Sequence, residues 1–103
     1  MQNKVQNFNN ARNAHLKPMP VYARILDIES EMGELAKEYL KNSDYGTGSF
    51  KLSNDFIMEF GDVMYSMLSL AQELNINAEE ALDKVIEKYN NRLKKGSMGS
   101  EVE

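Results

Sequence analysis

The chain has 103 residues, room for one small domain with a modest core and none for a second, so any elaborate site has to be compact or shared between subunits. With 42 % hydrophobic and 27 % charged residues it has the balance of a globular protein, while the absence of cysteine excludes disulfide frameworks, thiolate zinc sites and cysteine nucleophiles. One histidine, His15, excludes imidazole-rich metal sites, and sixteen acidic against twelve basic residues give a net charge of -4 that repels nucleic acid and anionic membranes.

No apolar run approaches the roughly 20 residues of a membrane span, and the opening MQNKVQNFNN lacks the apolar core of a signal peptide. The expectation is a cytoplasmic protein without nucleic-acid or membrane partners. A short first helix is expected over about residues 4–15 from Val5, Phe8 and Ala11, followed by a connector marked by Pro18 and Pro20. From there Val21, Ile25, Ile28, Met32, Leu35 and Tyr39 recur at steps of three and four, the period of an amphipathic helix with proline at its start. The turn formers of NSDYGTGS (42–49) end it. Ser53 can cap a third helix with Asp55 in its first turn and an apolar stripe of Phe56, Phe60, Val63, Met67, Leu70 and Leu74, stopping near Asn75. Asn77 and Glu80 resemble a capping box opening a last helix striped by Ala78, Ala81, Val85 and Tyr89.

No stretch alternates with period two. The expected fold is all-α, a short antiparallel bundle of three to four helices forming one domain over 1–94, with a flexible tail over 95–103 rich in Gly and Ser. Ile57, Met64 and Leu68 widen the apolar surface of the third helix to nearly half the cylinder. One chain of this size does not cover that much, so completion by homo-oligomerisation is expected.

Two acidic pairs stand out, Glu31 with Glu34 and Glu59 with Asp62. Residues three apart on a helix are separated by about 60° and a rise of about 4.5 Å, so each pair can converge on one point. On the helical wheel Glu59 lies about 40° from Val63 with Leu70 between them, inside the apolar arc. A carboxylate drawn out of water needs a cation, a basic partner or a proton. Four oxygen ligands without histidine or cysteine make a hard-cation site, with Mg²⁺ the first candidate and Mn²⁺ the second; the Glu-x-x-His pattern of di-iron bundles is missing. On the last helix Lys88 and Arg92 project about 60° and about 20° from Val85. Beside a carboxylate-held cation, two basic heads one turn apart make a place for a polyphosphate.

The order Glu31-x-x-Glu34, 24 intervening residues (35–58), then Glu59-x-x-Asp62 is similar to the Glu-Glu-x-x-Glu … Glu-x-x-Asp signature of the MazG-like all-α nucleotide pyrophosphohydrolases. SEMGELAKE resembles that family's first motif and EFGDVMYSML its second, and Lys88-x-x-x-Arg92 is similar to its following basic pair. One position departs: Ser30 stands where the family usually has a second glutamate, and Glu29, about 100° round the helix, is no geometric substitute. The resemblance implies Mg²⁺-dependent hydrolysis of a nucleoside triphosphate between its α and β phosphates, to a monophosphate and pyrophosphate, by a dimer or tetramer. It implies Glu31, Glu34, Glu59 and Asp62 as catalytic, metal-holding residues and Lys88 and Arg92 as substrate-binding ones. A relative acting on phosphoribosyl-ATP or on dUTP or dCTP stays open, as does a non-catalytic helical module whose acids form structural ion pairs.

Overall fold

Pro20, at φ -67° and ψ 156°, has the extended backbone of a helix N-cap and launches the longest helix of the chain. The computed structural model describes residues 1–17 and 19–96 and is helical throughout: α1 (Gln2–Asn13), α2 (Val21–Asn42), α3 (Asn54–Glu73) and α4 (Ala78–Lys94), with no strand among the described residues. Pro18 and residues 97–103 of the expected tail lie outside them. No helix among the described residues is long and apolar enough to cross a membrane.

The helix ends follow local chemistry. Phe56 N–H donates to Ser53 Oγ at 3.1 Å, which caps α3, and Glu80 N–H donates to Asn77 Oδ1 at 3.1 Å, which caps α4. The C-terminus of α3 closes on Asn75, whose left-handed φ of 54° lets Ile76 N–H reach the Ala71 carbonyl at 2.8 Å and Asn75 N–H the Gln72 carbonyl at 3.2 Å. The loop after α2 turns through three successive left-handed residues, Asp44, Tyr45 and Gly46. Gly46, at φ 88°, is the one of the three spared the Cβ penalty.

Helices α2 and α3 pack antiparallel, the main contact of the molecule, and α1 lies along α3. Asn42 Nδ2 donates to Ser53 Oγ at 2.7 Å at the loop end, and Ser66 Oγ donates to Asp27 Oδ2 at 2.8 Å farther along, fixing the register. Asn9 ties α1 down: its amide donates to Ser69 Oγ at 3.0 Å and Gln72 Oε1 at 3.2 Å, and it accepts from Tyr65 OH at 2.6 Å. Phe8 meets Tyr65 edge to face.

The apolar stripes predicted to form the core are at most partly buried within one chain. Ala71 is the one hydrophobic side chain fully buried among the described residues, whereas Asn9, Arg24, Ser43, Ser66 and Ser69 are buried polar ones. Phe60 is 52 % exposed and Leu82 59 %. Helix α4 departs from the expected bundle: it is joined to the body at its start, where Ala78 N–H donates to Gln2 Oε1 at 3.0 Å, but packs extensively on no other helix. The radius of gyration is accordingly 17.1 Å, against about 13 Å for a closed domain of this length. Amphipathicity marks the face a helix buries, not the chain that covers it.

Candidate metal centre

The antiparallel register sets Glu31 of α2 level with Asp62 of α3, one turn beyond the Asp27–Ser66 hydrogen bond. Glu31, Glu59 and Asp62 each bring a carboxylate oxygen to within 4.8 Å of the others. Glu31 and Glu59 are half-buried in the seam and Asp62 stands at its exposed rim, so the cluster is open on one side. Glu34 is exposed and stands outside this group of three, although its charge acts on both Glu31 and Glu59.

The electrostatics combine partial desolvation with like charge. Partial desolvation, reinforced by Asp62, Asp27, Glu59 and Glu34, raises the Glu31 carboxyl above its ordinary value. Desolvation and then Asp62, Glu34, Glu38 and Asp55 do the same to Glu59. No salt bridge between described residues engages any of the four acids; Lys41 pairs instead with Glu38 at 3.4 Å. Three converging carboxylates without nitrogen or sulfur donors suit a hard divalent cation, which would offset both the desolvation and the repulsion that raise these carboxyls.

Lys88 and Arg92 lie elsewhere in this chain. They flank Tyr89, with Lys88 Nζ 5.4 Å and Arg92 Cζ 5.9 Å from the ring centroid, and share a shallow hollow with Lys84, Glu87, Asn91 and Lys95. Every residue of that hollow belongs to α4 or its C-cap, and none of the four acids is among them. Ser30 and Glu29 are both exposed on α2. Sequence reasoning missed Asp27, which adds its charge to the cluster and accepts the Ser66 hydroxyl. The signal was available, since Asp27 precedes Glu31 by one turn and Ser66 follows Asp62 by one turn.

The all-helical chain thus brings three carboxylates together between two antiparallel helices, a donor set that suits a hard divalent cation. The sequence profile of the MazG nucleotide pyrophosphohydrolase domain matches residues 23–97, and the chain belongs to that family. It is 36 % identical over 84 residues to the uncharacterized protein YpjD of Bacillus subtilis (strain 168), an alignment covering 79 % of this chain and 71 % of YpjD. The crystal structure of B. subtilis YPJD, described as a proposed pyrophosphatase, superposes with a TM-score of 0.68 at 32 % identity over 88 % of this chain and 90 % of that one.

Proposed function

We propose that this chain hydrolyses nucleoside triphosphates between the α and β phosphates, releasing a nucleoside monophosphate and pyrophosphate, as a housecleaning enzyme of the nucleotide pool. The observation that carries this reading is the convergence of Glu31, Glu59 and Asp62 within 4.8 Å in a member of a nucleotide pyrophosphohydrolase family. Glu31, Glu59 and Asp62, with Glu34 beside them, would hold Mg²⁺, or Mn²⁺ in its place. When bound there the cation supplies neutralisation of phosphoryl oxygens and acidifies a water for attack. The open, Asp62 side of the cluster leaves phosphate oxygens a way in. Lys88 and Arg92 hold the β and γ phosphates and stabilise charge on the departing pyrophosphate, as paired cations do for phosphoryl leaving groups.

Because α4 does not lie over its own acids, the basic pair is delivered by a second copy in a homodimer or homotetramer. The uncovered apolar faces support this: Ile57, Phe60 and Met67 on α3 and Leu82, Ile86 and Leu93 on α4 are each about half exposed. The test is a panel of ordinary and damaged ribo- and deoxyribonucleoside triphosphates with Mg²⁺, scored for pyrophosphate. Release from at least one member, lost in Glu59→Gln with helicity intact, supports the reading. Failure across the panel with both Mg²⁺ and Mn²⁺ refutes it.

A further inference from the structure

Beside the acids, the α2–α3 seam carries a polar group that the proposed reaction does not use. Arg24 is 2 % exposed and Ser66 1 %, and Ser66 Oγ donates to Asp27 Oδ2 at 2.8 Å between residues 39 apart in sequence. The bond crosses the seam one turn away from Glu31 and Asp62. At the far side of the acids, the Asn42–Ser53 hydrogen bond crosses it again. Between these two cross-links lie Glu31, Glu34 and Glu38 on α2 and Asp55, Glu59 and Asp62 on α3. Like charges on facing helices push them apart, so the cross-links oppose a standing repulsion.

The two cross-links differ in kind. Ser53 also caps α3, so the Asn42 bond serves the loop, whereas Asp27 and Ser66 are mid-helix residues with no capping duty. Using a carboxylate as the acceptor is costly here, because Asp27 is itself among the charges that raise Glu31. Arg24 lies one turn before Asp27 on the same helix, with Nε and Nη2 buried and without a hydrogen-bond partner. Those two nitrogens form the side-on edge of a guanidinium, the edge shaped for oxyanions. Ser69, level with Arg24 in the register, is 0 % exposed and accepts the Asn9 amide at 3.0 Å.

We propose that Asp27, held by the Ser66 hydroxyl, is a positioning residue of the cation site. It sets the separation and rotation of α2 against α3 so that the oxygens of Glu31 and Asp62 already meet before a cation arrives. This rests on the reading of the acids as a divalent-cation site.

The experiment uses the full chain and Mn²⁺ alone, with affinity from calorimetry, the electron paramagnetic resonance spectrum of the bound ion, and helicity and melting in parallel. Ser66→Ala and Asp27→Ala each weaken Mn²⁺ binding by roughly tenfold, the size of effect seen when partners behind metal ligands are removed. Both alter the bound-ion spectrum, and the double variant is no weaker than either single one. Asp27→Asn, whose amide oxygen still accepts the Ser66 hydroxyl, binds within about threefold of the wild type, a margin well inside that loss. Should Ser66→Ala not fold, the contrast between Asp27→Asn and Asp27→Ala decides alone. Wild-type affinity and spectrum in the alanine variants, with only a lowered melting temperature, overturns the proposal in favour of a merely structural bond. Loss of binding in Asp27→Asn as large as in Asp27→Ala also overturns it, since Asp27 is then a ligand by its charge. Absence of Mn²⁺ binding by the wild type is a different failure: it removes the cation site itself, and the positioning role with it.

Discussion

Glu31→Gln separates folding from function in this fold. Oxygens of Glu31 and Asp62 lie within 4.8 Å, and two unit charges at that distance repel by about 0.9 kcal/mol in water and about 3.5 kcal/mol at an effective dielectric of 20. Asp62 is exposed and Glu31 only half-buried, so solvent screening favours the lower figure, about 1 kcal/mol. Glutamine keeps the shape and removes the charge. The metal-free variant is therefore more stable than the wild type by about 1 kcal/mol, which for a chain of this length moves the melting temperature upward by about 4–8 °C. In Mg²⁺ the order reverses. A cation present at a hundred times its dissociation constant stabilises the wild type by about 2.7 kcal/mol, whereas Glu31→Gln, short of one ligand, gains little. Paired melting curves in chelator and in excess Mg²⁺, at one protein concentration, read both effects. A metal-free variant that melts at or below the wild type while keeping the full Mg²⁺ shift refutes the uncompensated carboxylate cluster.

Glu31 and Glu59 hold their protons more tightly folded than unfolded, so their contribution to stability is complete below the ordinary glutamate value and is lost as pH rises through the raised one. Melting of the metal-free protein from neutral pH down to the ordinary glutamate value should show this component as rising stability on acidification, with the Mg²⁺ increment shrinking in parallel. Lys88→Ala and Arg92→Ala should raise KM or lower kcat for the triphosphate while leaving Mn²⁺ affinity intact, as checked by steady-state kinetics beside calorimetry. Ser53→Ala removes the α3 cap and orphans the Asn42 amide, and should cost about 1–2 kcal/mol in denaturant titration. Phe60→Glu, placing charge on the uncovered face of α3, should shift the light-scattering mass toward the monomer.

The helices were legible in the sequence because their determinants are local. Ser53 and Asn77 are the caps observed, and α3 ends at Asn75 through a left-handed closure that a chain-order reading already places there. The inward position of Glu59 was legible as well, since a helical wheel needs only the residue numbers. The reading went astray where partners are non-local. A stripe defined by apolar residues conceals a seam whose most buried members include Arg24, Ser66 and Ser69, so Asp27 escaped notice. Glu31 and Glu34 look equivalent along α2, but the pairing with α3 brings Glu59 and Asp62 to Glu31 and leaves Glu34 outside the closest group. Nor does the strong amphipathicity of α4 say that its apolar face lies uncovered in its own chain.

The central claim is that these carboxylates support cleavage of a nucleoside triphosphate between the α and β phosphates. Phosphorus magnetic resonance of the purified full chain with Mg²⁺ and the triphosphate panel reads the products directly. Equal amounts of nucleoside monophosphate and pyrophosphate, absent in chelator and in Glu59→Gln, are the predicted result. Nucleoside diphosphate with inorganic phosphate, or no turnover of any member of the panel, would contradict it.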